Sequence, residues 1–201
     1  MKENLKDLQE LLIIIDMVNG FVKEGTLANP DYMKIVPKQI ELIEKFIERK
    51  QGILFIKDTH TLDSVEFKTF PVHCLEGTKE SELIDELKVY ENYGISIPKN
   101  STSFMFAKGL LGLMKEMENL KTVVGCGVLH DVCVPNGLIP LKNYFNEMDR
   151  DVEIIVPKDT IDTYDAPGHN KEEYAHASDL LMKESGIKLV RSLNDIEWRE
   201  I

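Results

Sequence analysis

Three side chains that could carry out nucleophilic catalysis lie where separate apolar segments of the sequence end. Asp16 closes the first apolar run, LLIIID, Lys99 follows a later run, GISI, and Cys133 lies five residues past a third, TVVGCGV. A thiolate can attack a carbonyl carbon, a carboxylate can carry a proton to a leaving amine, and a nearby cation can stabilise the thiolate. These side-chain types together indicate a cysteine-dependent hydrolase.

Cys133 is the first candidate for the nucleophile. It precedes VPNGLIPL, which we expect to be helical, with Pro135 in the first turn and Pro140 kinking the helix. The positive end of a helix dipole favours a thiolate, so we expect the pKa of this thiol to be lowered. A buried thiol that only packs is the alternative. That is our interpretation of Cys126, inside an apolar run, and of Cys74, for which a metal thiolate is the second option.

Asp16 and Lys99 each have a simpler explanation. Aspartate is common in the turn after a strand, and most lysines are exposed. Asp16, however, is followed by MVNGF and an irregular stretch to about residue 33, which could cover a pocket. Lys108 is the competing lysine, but it follows a phenylalanine-rich turn and not a strand end. We therefore rank Lys99 first.

A second group of side chains has the composition of a metal site. The sequence DTH places Asp58 and His60 at the end of an apolar run, and Glu66 and His73 follow within a short distance. Two imidazoles and two carboxylates suit Zn, Mn or Fe(II) and leave room for water and a substrate atom. Asp63 is the alternative acid, and histidines that only make hydrogen bonds in turns are the alternative explanation.

Six apolar runs alternate with segments of helical period and predict the elements that must position these residues. Most of the runs are apolar at consecutive positions, as in strands covered on both faces of a parallel sheet. The predicted strands are 11–16, 53–57, 94–97, 122–128, 152–156 and 187–190, and the predicted helices include 37–50, 109–119 and 170–185. The pattern predicts a three-layer α/β/α, Rossmann-like fold with a doubly wound, mainly parallel six-stranded sheet. In such folds the carboxyl ends of the strands hold the site.

Composition narrows the class of protein and of partner. A chain of 201 residues is expected to form a single domain over residues 1–201. Its 24 basic and 35 acidic residues give a net charge of −11, which disfavours nucleic acid and anionic membranes and suits a small neutral substrate. The apolar runs are shorter than the roughly 20 residues of a membrane span. Three cysteines without C-x-x-C spacing and a charged N-terminus predict a cytoplasmic protein.

The order of these motifs resembles the isochorismatase-like cysteine hydrolases. An aspartate ends the first strand, D-x-H and F-P-x-H-C-x-x-G-T follow, a lysine comes after the third strand, and G-V-x-x-D-V-C-V comes last. The resemblance spans residues 11 to 160 and is specific as a combination, although each motif alone is weak. Within this superfamily the metal-ligand pattern is most similar to that of nicotinamidases, some of which have glutamate where Glu66 lies.

The resemblance implies both an activity and a site. It implies hydrolysis of nicotinamide to nicotinate and ammonia through a cysteine thioester, a step of NAD salvage, with a metal that holds the pyridine nitrogen. The implied catalytic residues are Asp16, Lys99 and Cys133, with an oxyanion hole from the N–H groups of Leu129 and Cys133 after a cis Val128–Leu129 peptide. The implied metal ligands are Asp58, His60, Glu66 and His73, and the implied substrate contacts are Phe21, Phe70 and Val128.

Two departures from the family pattern leave the substrate open. His130 stands where many members have threonine, and the sequence Asn136–Leu138 replaces a more usual threonine-alanine. His130 either tunes the pocket for another amide or packs against a helix. Another small amide or carbamoyl compound is therefore the alternative substrate, and a catalytically silent binding module is the alternative outside enzymes. The sequence also leaves open a homo-oligomer and a lid over residues 17–33 or 61–78.

Overall fold

The computed structural model describes residues 5–200 and contains one sheet of seven strands. The strands are β1 (Glu10–Ile15), β2 (Gly52–Asp58), β3 (Ile95–Lys99), β4 (Thr122–Val128), β5 (Glu153–Pro157), β6 (Ile161–Asp162) and β7 (Lys188–Val190). The spatial order is β3-β2-β1-β4-β5-β7, with β6 also paired to β4. All of these pairings are parallel, which confirms the predicted parallel α/β class.

Helices connect the strands and cover the sheet. The α-helices are α1 (Asn19–Val22), α2 (Val36–Glu48), α3 (Asp85–Lys88), α4 (Leu110–Glu116), α5 (Cys133–Glu147) and α6 (Lys171–Glu184). Short 3-10 helices span Leu5–Asp7, Pro30–Ile35, Val65–Lys68, Lys79–Ser81, Glu91–Tyr93, Phe104–Phe106, Lys158–Thr160 and Leu193–Asp195. The predicted helices 37–50, 109–119 and 170–185 correspond to α2, α4 and α6. The expected helix after Cys133 is α5, which continues through Pro140.

Alternate residues of the central strand β1 enter two apolar cores, one on each face of the sheet. Ile13 packs in a core with Leu138 of α5, and Ile14 packs in the other with Phe46 of α2. All residues of β1 are buried, as the consecutive apolar run predicts for a strand covered on both faces. No helix within residues 5–200 is long and apolar enough to cross a membrane.

The sheet has one strand more than the six predicted. Pairing between β4 and β5 ends at Val124 and Ile155, and after a 3-10 turn the chain returns to pair Ile161 with Gly127. A strand of two residues is too short for any periodic pattern, so the sequence carries no signal for it.

A glycine next to the first strand end allows close approach of two strands. Gly127 in β4 has a φ of 122°, and a Cβ built there would lie 2.0 Å from the carbonyl oxygen of Ile15. Only glycine fits both that backbone conformation and that distance. Gly127 thus lets β4 run against the residue that precedes Asp16, and it leads directly into the turn before α5.

Candidate active site

The predicted nucleophile, carboxylate and lysine meet at the carboxyl end of the sheet, together with one residue predicted as a metal ligand. We call Asp16, Asp58, Lys99 and Cys133 the thiol cluster. Asp16 follows β1 directly, Asp58 and Lys99 are paired last residues of β2 and β3, and Cys133 begins α5. All four side chains are buried, with relative exposures of 4% or less. The order of strands in the sheet therefore brings together residues that are far apart in sequence.

The ammonium group of Lys99 is shared by the other members of the thiol cluster. Its Nζ lies 3.0 Å from Asp16 Oδ2, 2.5 Å from Asp58 Oδ1 and 3.8 Å from Cys133 Sγ. The carboxyl group of Asp16 also contacts the thiol of Cys133, since a hydrogen bond between these two side chains contributes to the pKa of each. Lys99 thus serves two carboxylates and a thiol, and Asp16 lies beside the thiol whose proton it would accept.

The electrostatics of the cluster make Asp16 a suitable base. Burial raises the pKa of Asp16 to about 7, with a further contribution from the Asp58 carboxylate that Lys99 only partly offsets. Burial alone would lower the pKa of Lys99, but the two carboxylates and the thiol outweigh it and raise that pKa well above its usual value. Lys99 therefore stays charged, while Asp16 can exchange a proton near neutral pH.

The expectation of a lowered thiol pKa is wrong for this arrangement. Burial raises the pKa of Cys133 well above its usual value, and the carboxylates of Asp16 and Asp58 raise it further. Lys99 lowers this pKa, but by less than the other three effects raise it. The helix N-terminus is present, but the loss of solvent and two nearby carboxylates dominate. The thiol is therefore protonated in this arrangement and needs a base beside it.

The turn between β4 and α5 places backbone N–H groups beside the thiol. Its Val128–Leu129 peptide bond is cis, as the family resemblance implies. The carbonyl of Leu129 accepts hydrogen bonds of 3.1 Å from the N–H groups of Val132 and Val134, which closes the turn. Cys133 is the first residue of α5, so its N–H has no acceptor within the helix. Such a group can stabilise the oxyanion that forms on a carbonyl oxygen when the sulfur attacks the carbonyl carbon.

Three of the four predicted metal ligands form a compact buried group. Ligand atoms of Asp58, His60 and His73 all lie within 4.8 Å of one another. Both imidazole Nε2 atoms face Asp58 Oδ2, at 2.8 Å for His60 and 3.0 Å for His73. Each Nδ1 faces an acceptor, Asn100 Oδ1 at 2.8 Å and the carbonyl of Pro71 at 2.7 Å. Hydrogen bonds from Nδ1–H leave the Nε2 lone pairs for an ion, so this donor set fits a divalent metal.

The other candidate ligands lie outside that group. Glu66 is partly buried and lines the adjoining cavity without joining the compact set, and Asp63 is exposed. Cys74 is buried, and burial raises the pKa of its thiol strongly, which favours the packing interpretation. Burial likewise raises the pKa of Cys126. Lys108, the competing lysine, is exposed.

An aromatic cavity of about 110 Å³ opens onto both the thiol and the metal-ligand group. Its lining consists of Phe21, Leu27, Tyr32, Asp58, Glu66, Phe70, Thr102, His73, Leu129, Val132, Cys133 and Tyr164. The predicted substrate contacts Phe21 and Phe70 are among these residues. Val128 is not, because its side chain is fully buried in the core between sheet and helix α2.

Comparison with known proteins places this arrangement in a family. The model of the isochorismatase domain matches residues 10–180. The chain belongs to the isochorismatase family. Nicotinamidase 1 of Arabidopsis thaliana is 30% identical over 140 residues, which are 61% of this chain and 56% of that protein. A protein of the same plant named as a probable inactive nicotinamidase is 28% identical over 135 residues, 61% of this chain and 67% of that protein.

Solved structures of isochorismatase-family proteins share the fold over nearly the whole chain. N-carbamoylsarcosine amidase of Thermoplasma acidophilum has a TM-score of 0.76 and 25% identity, covering 95% of this chain and 100% of that one. Pyrazinamidase of Pyrococcus horikoshii in complex with zinc has a TM-score of 0.70 and 26% identity, covering 90% and 98%. The chain thus shares the isochorismatase domain and its fold with proteins named as amidases, and it spans just over half the length of Nicotinamidase 1.

His130, the residue that departs from the family pattern, packs against a helix and does not line the cavity. Its Nε2 lies 2.8 Å from Asp179 Oδ1 in α6, and its carbonyl accepts a hydrogen bond of 2.6 Å from Ser178 Oγ. Its N–H donates to the carbonyl of Asp162. Of the two explanations given for His130, the structure favours packing.

Several residues in or beside the site had not been found from the sequence. Tyr32 lies in a 3-10 helix and Tyr164 in a loop, where no periodic pattern marks the inward side of the chain. Asn100, which holds the His60 ring, directly follows Lys99 at the end of β3. Its position next to a strand-end lysine was the one available signal.

Proposed function

We propose that the protein is a metal-containing cysteine amidase that hydrolyses nicotinamide to nicotinate and ammonia. The observation that carries the proposal is that Cys133 lines one aromatic cavity together with Asp58 and His73 of the His–His–Asp donor set. Asp16, a base with a raised pKa, lies behind them against Cys133. Similarity to Nicotinamidase 1 supports it. In this proposal the site residues are Asp16, Lys99 and Cys133, with the N–H groups of Leu129 and Cys133 as the oxyanion hole.

The reaction begins with attack of Cys133 on the amide carbonyl. The thiol proton moves to the carboxylate of Asp16 as the C–S bond forms, and Lys99 stabilises the thiolate character of the sulfur. The N–H groups of Leu129 and Cys133 donate to the carbonyl oxygen, whose charge grows as the tetrahedral intermediate forms. Asp16 then gives its proton to the nitrogen, the C–N bond breaks, and ammonia leaves.

Water completes the cycle by hydrolysing the thioester. Asp16, again a carboxylate, takes a proton from the attacking water, the C–S bond breaks, and the proton returns to the sulfur of Cys133. The products are the acid and the free thiol, so one amide and one water give one acid and one ammonia. A base with a pKa of about 7 suits both proton transfers.

Asp58, His60 and His73 would hold a divalent ion, with Glu66 as a further ligand directly or through water. Zinc is the first candidate, because the Pyrococcus pyrazinamidase structure contains it, and manganese and iron are the alternatives. Bound there, the ion supplies a Lewis-acid position for the ring nitrogen of the substrate. The rings of Phe21 and Phe70 would then pack against the substrate.

A carbamoyl compound with a carboxylate is the second candidate substrate, because N-carbamoylsarcosine amidase has the same fold. The residues that line the cavity speak against it. They include the acids Asp58 and Glu66 and contain no lysine or arginine within the described part of the chain. A neutral aromatic amide fits this lining better than an anion does.

The test is ammonia release from nicotinamide by zinc-loaded protein, with Cys133→Ala as the control and zinc content measured in both proteins. We expect turnover by the wild type, none above background for the variant, and equal zinc content. Turnover of N-carbamoyl amino acids but not of nicotinamide would favour the second candidate. Absence of turnover on either class of compound would favour a silent binding module.

A further inference from the structure

A histidine outside the thiol cluster is held between two tyrosine rings. The ring of His169 stacks on Tyr164 with centroids 3.8 Å apart and an angle of 11°, and on Tyr174 at 3.9 Å and 29°. His169 is buried, whereas Tyr174 of α6 is exposed on its outer side. Near-parallel stacks on both sides define the plane of each ring.

The stack is tied to the turn that precedes the thiol. His169 Nε2 lies 2.7 Å from Asp131 Oδ2, and the other oxygen of Asp131 accepts a hydrogen bond from the Thr163 hydroxyl. Asp131 lies two residues after Leu129 and two before Cys133, within the proposed oxyanion turn. The stack is therefore joined by a side-chain contact to the backbone segment that carries the nucleophile.

The inner ring of the stack is a wall of the cavity. Tyr164 lines the cavity beside Leu129 and Cys133. Reciprocal backbone hydrogen bonds of 3.0 and 2.9 Å between Ala166 and His169 close the loop behind it, and the Tyr164 carbonyl lies 3.2 Å from His169 Nδ1. Both the backbone and the ring plane of Tyr164 are thus set by contacts to His169.

We propose that His169 is a positioning residue that holds Tyr164 as a flat wall against the substrate and so selects planar aromatic amides over aliphatic ones. His169 does not line the cavity and does not touch the thiol cluster. Its loss should therefore weaken the fit of a planar ring and leave the chemistry of Cys133 in place. The inference rests on the proposed amidase function for its choice of substrate.

The first test compares three variants. His169→Ala removes the stack, and His169→Phe keeps the stack but not the contact to Asp131. His176→Ala changes an exposed histidine in α6 and serves as the control. We expect His169→Ala to raise KM for nicotinamide about tenfold with kcat nearly unchanged, since one aromatic stack is worth roughly that much. We expect His169→Phe to restore KM to within about threefold of the wild type by the same reasoning. His176→Ala should match the wild type.

Selectivity gives a second readout from the same variants. The ratio of kcat/KM for nicotinamide to that for isobutyramide should fall in His169→Ala and recover in His169→Phe. An unchanged KM and ratio in His169→Ala would overturn the proposal, as would a fall in kcat alone. A Phe variant that behaves like the Ala variant would also overturn it, because stacking would then not be the cause.

A test independent of turnover separates this inference from the proposed function. Cys133 is labelled with N-phenylmaleimide and with N-methylmaleimide, and its modification is followed by peptide mass spectrometry. We expect the preference for the phenyl reagent to fall in His169→Ala, and an unchanged preference overturns the inference. Wild-type protein that shows this preference but no nicotinamide turnover would refute only the proposed function. If His169→Ala does not fold, Tyr174→Ala removes the exposed half of the stack, and the same loss of preference is expected.

Discussion

Two charged clusters adjoin the turn before α5, and their buried carboxylates are paired differently. In the thiol cluster, Lys99 is the one cation for two carboxylates and a thiol. We call His130, Lys158, Ser178 and Asp179 the anchor cluster. There each oxygen of Asp179 has its own partner, His130 Nε2 at 2.8 Å and Lys158 Nζ at 2.6 Å.

The difference appears in the two aspartates. Burial raises the pKa of Asp16 to about 7 because its share of one cation is too small to offset the loss of water. Burial also opposes the charge of Asp179, but hydrogen bonds from Lys158 and His130 outweigh it and lower the pKa. Asp16 shares its cation and can exchange a proton near neutral pH, whereas Asp179 has a partner for each oxygen and stays ionised as a structural group.

The largest expected effect comes from removing the cation of the thiol cluster, and the cation of the anchor cluster provides the comparison. Lys99→Met leaves two buried carboxylates without a cation, so we expect a loss of about 3–5 kcal/mol in the free energy of unfolding. We also expect at least a roughly thousandfold loss of amidase activity, as for other residues that act as one unit with a nucleophile. Lys158→Met removes a half-exposed charge and should cost less than about 1 kcal/mol.

Urea denaturation and ammonia release measure both quantities on the same protein preparations. Similar losses of stability in Lys99→Met and Lys158→Met would remove the distinction between the clusters. If Lys99→Met does not fold, the isosteric variants Asp16→Asn and Asp179→Asn are used to compare the two clusters. The first should abolish activity, and the second should preserve most of it.

A smaller effect is expected from Asp179→Ala. This variant leaves the buried His130 Nε2 without its partner, which costs about 1–3 kcal/mol of unfolding free energy. Because His130 belongs to the turn that carries the thiol, we expect kcat to fall by less than about tenfold with KM unchanged. Asp179→Asn keeps an acceptor for His130 and should recover most of both losses. A rise in KM without a change in kcat would contradict the anchoring role.

The sheet and most of the site geometry could be predicted because they follow from strong local patterns. Consecutive apolar runs predicted the boundaries of the six longer strands to within two residues. Because these strands are parallel, Asp16, Asp58 and Lys99 lie at one edge of the sheet. The two-residue strand β6 and the cavity residues Tyr32 and Tyr164 could not be predicted. Their positions depend on tertiary contacts that leave no periodic trace in the sequence.

The protonation state of the thiol was the main error, and its cause is physical. Sequence reasoning sees the helix that begins at Cys133 but not how deeply the thiol is buried or how many carboxylates surround it. The sharing of Asp58 between Lys99 and the two histidines was also missed, because it depends on the distance between strand ends. Local patterns thus indicated which residues meet, and burial decided their charges.

The last expected effect is on how stability depends on pH. The pKa of Asp16 is about 7 in the folded protein and near its ordinary value of 3.8 when unfolded, so the folded state binds the extra proton between these pH values. Stability from this group is fully present below about pH 4 and is lost as pH rises toward 7, by at most about 1.4 kcal/mol per pH unit. The pKa of Asp179 is lowered in the folded protein, so its contribution to stability is lost as pH falls and not as pH rises.

Asp16→Asn removes the first contribution and leaves the second in place. The unfolding free energies of the variant and the wild type are measured in urea from pH 5 to pH 8 with metal removed. The stability of the variant relative to the wild type should increase as pH rises. The curve of Asp179→Asn should run parallel to that of the wild type over this range, because the contribution of the Asp179 carboxyl is already complete above its unfolded pKa. Asp179→Asn therefore serves as the matched control. Parallel pH curves for the wild type and Asp16→Asn would mean that Asp16 is already ionised in the folded protein at acid pH. It would then be a poor acceptor for the Cys133 proton, and the contrast between the two clusters would disappear.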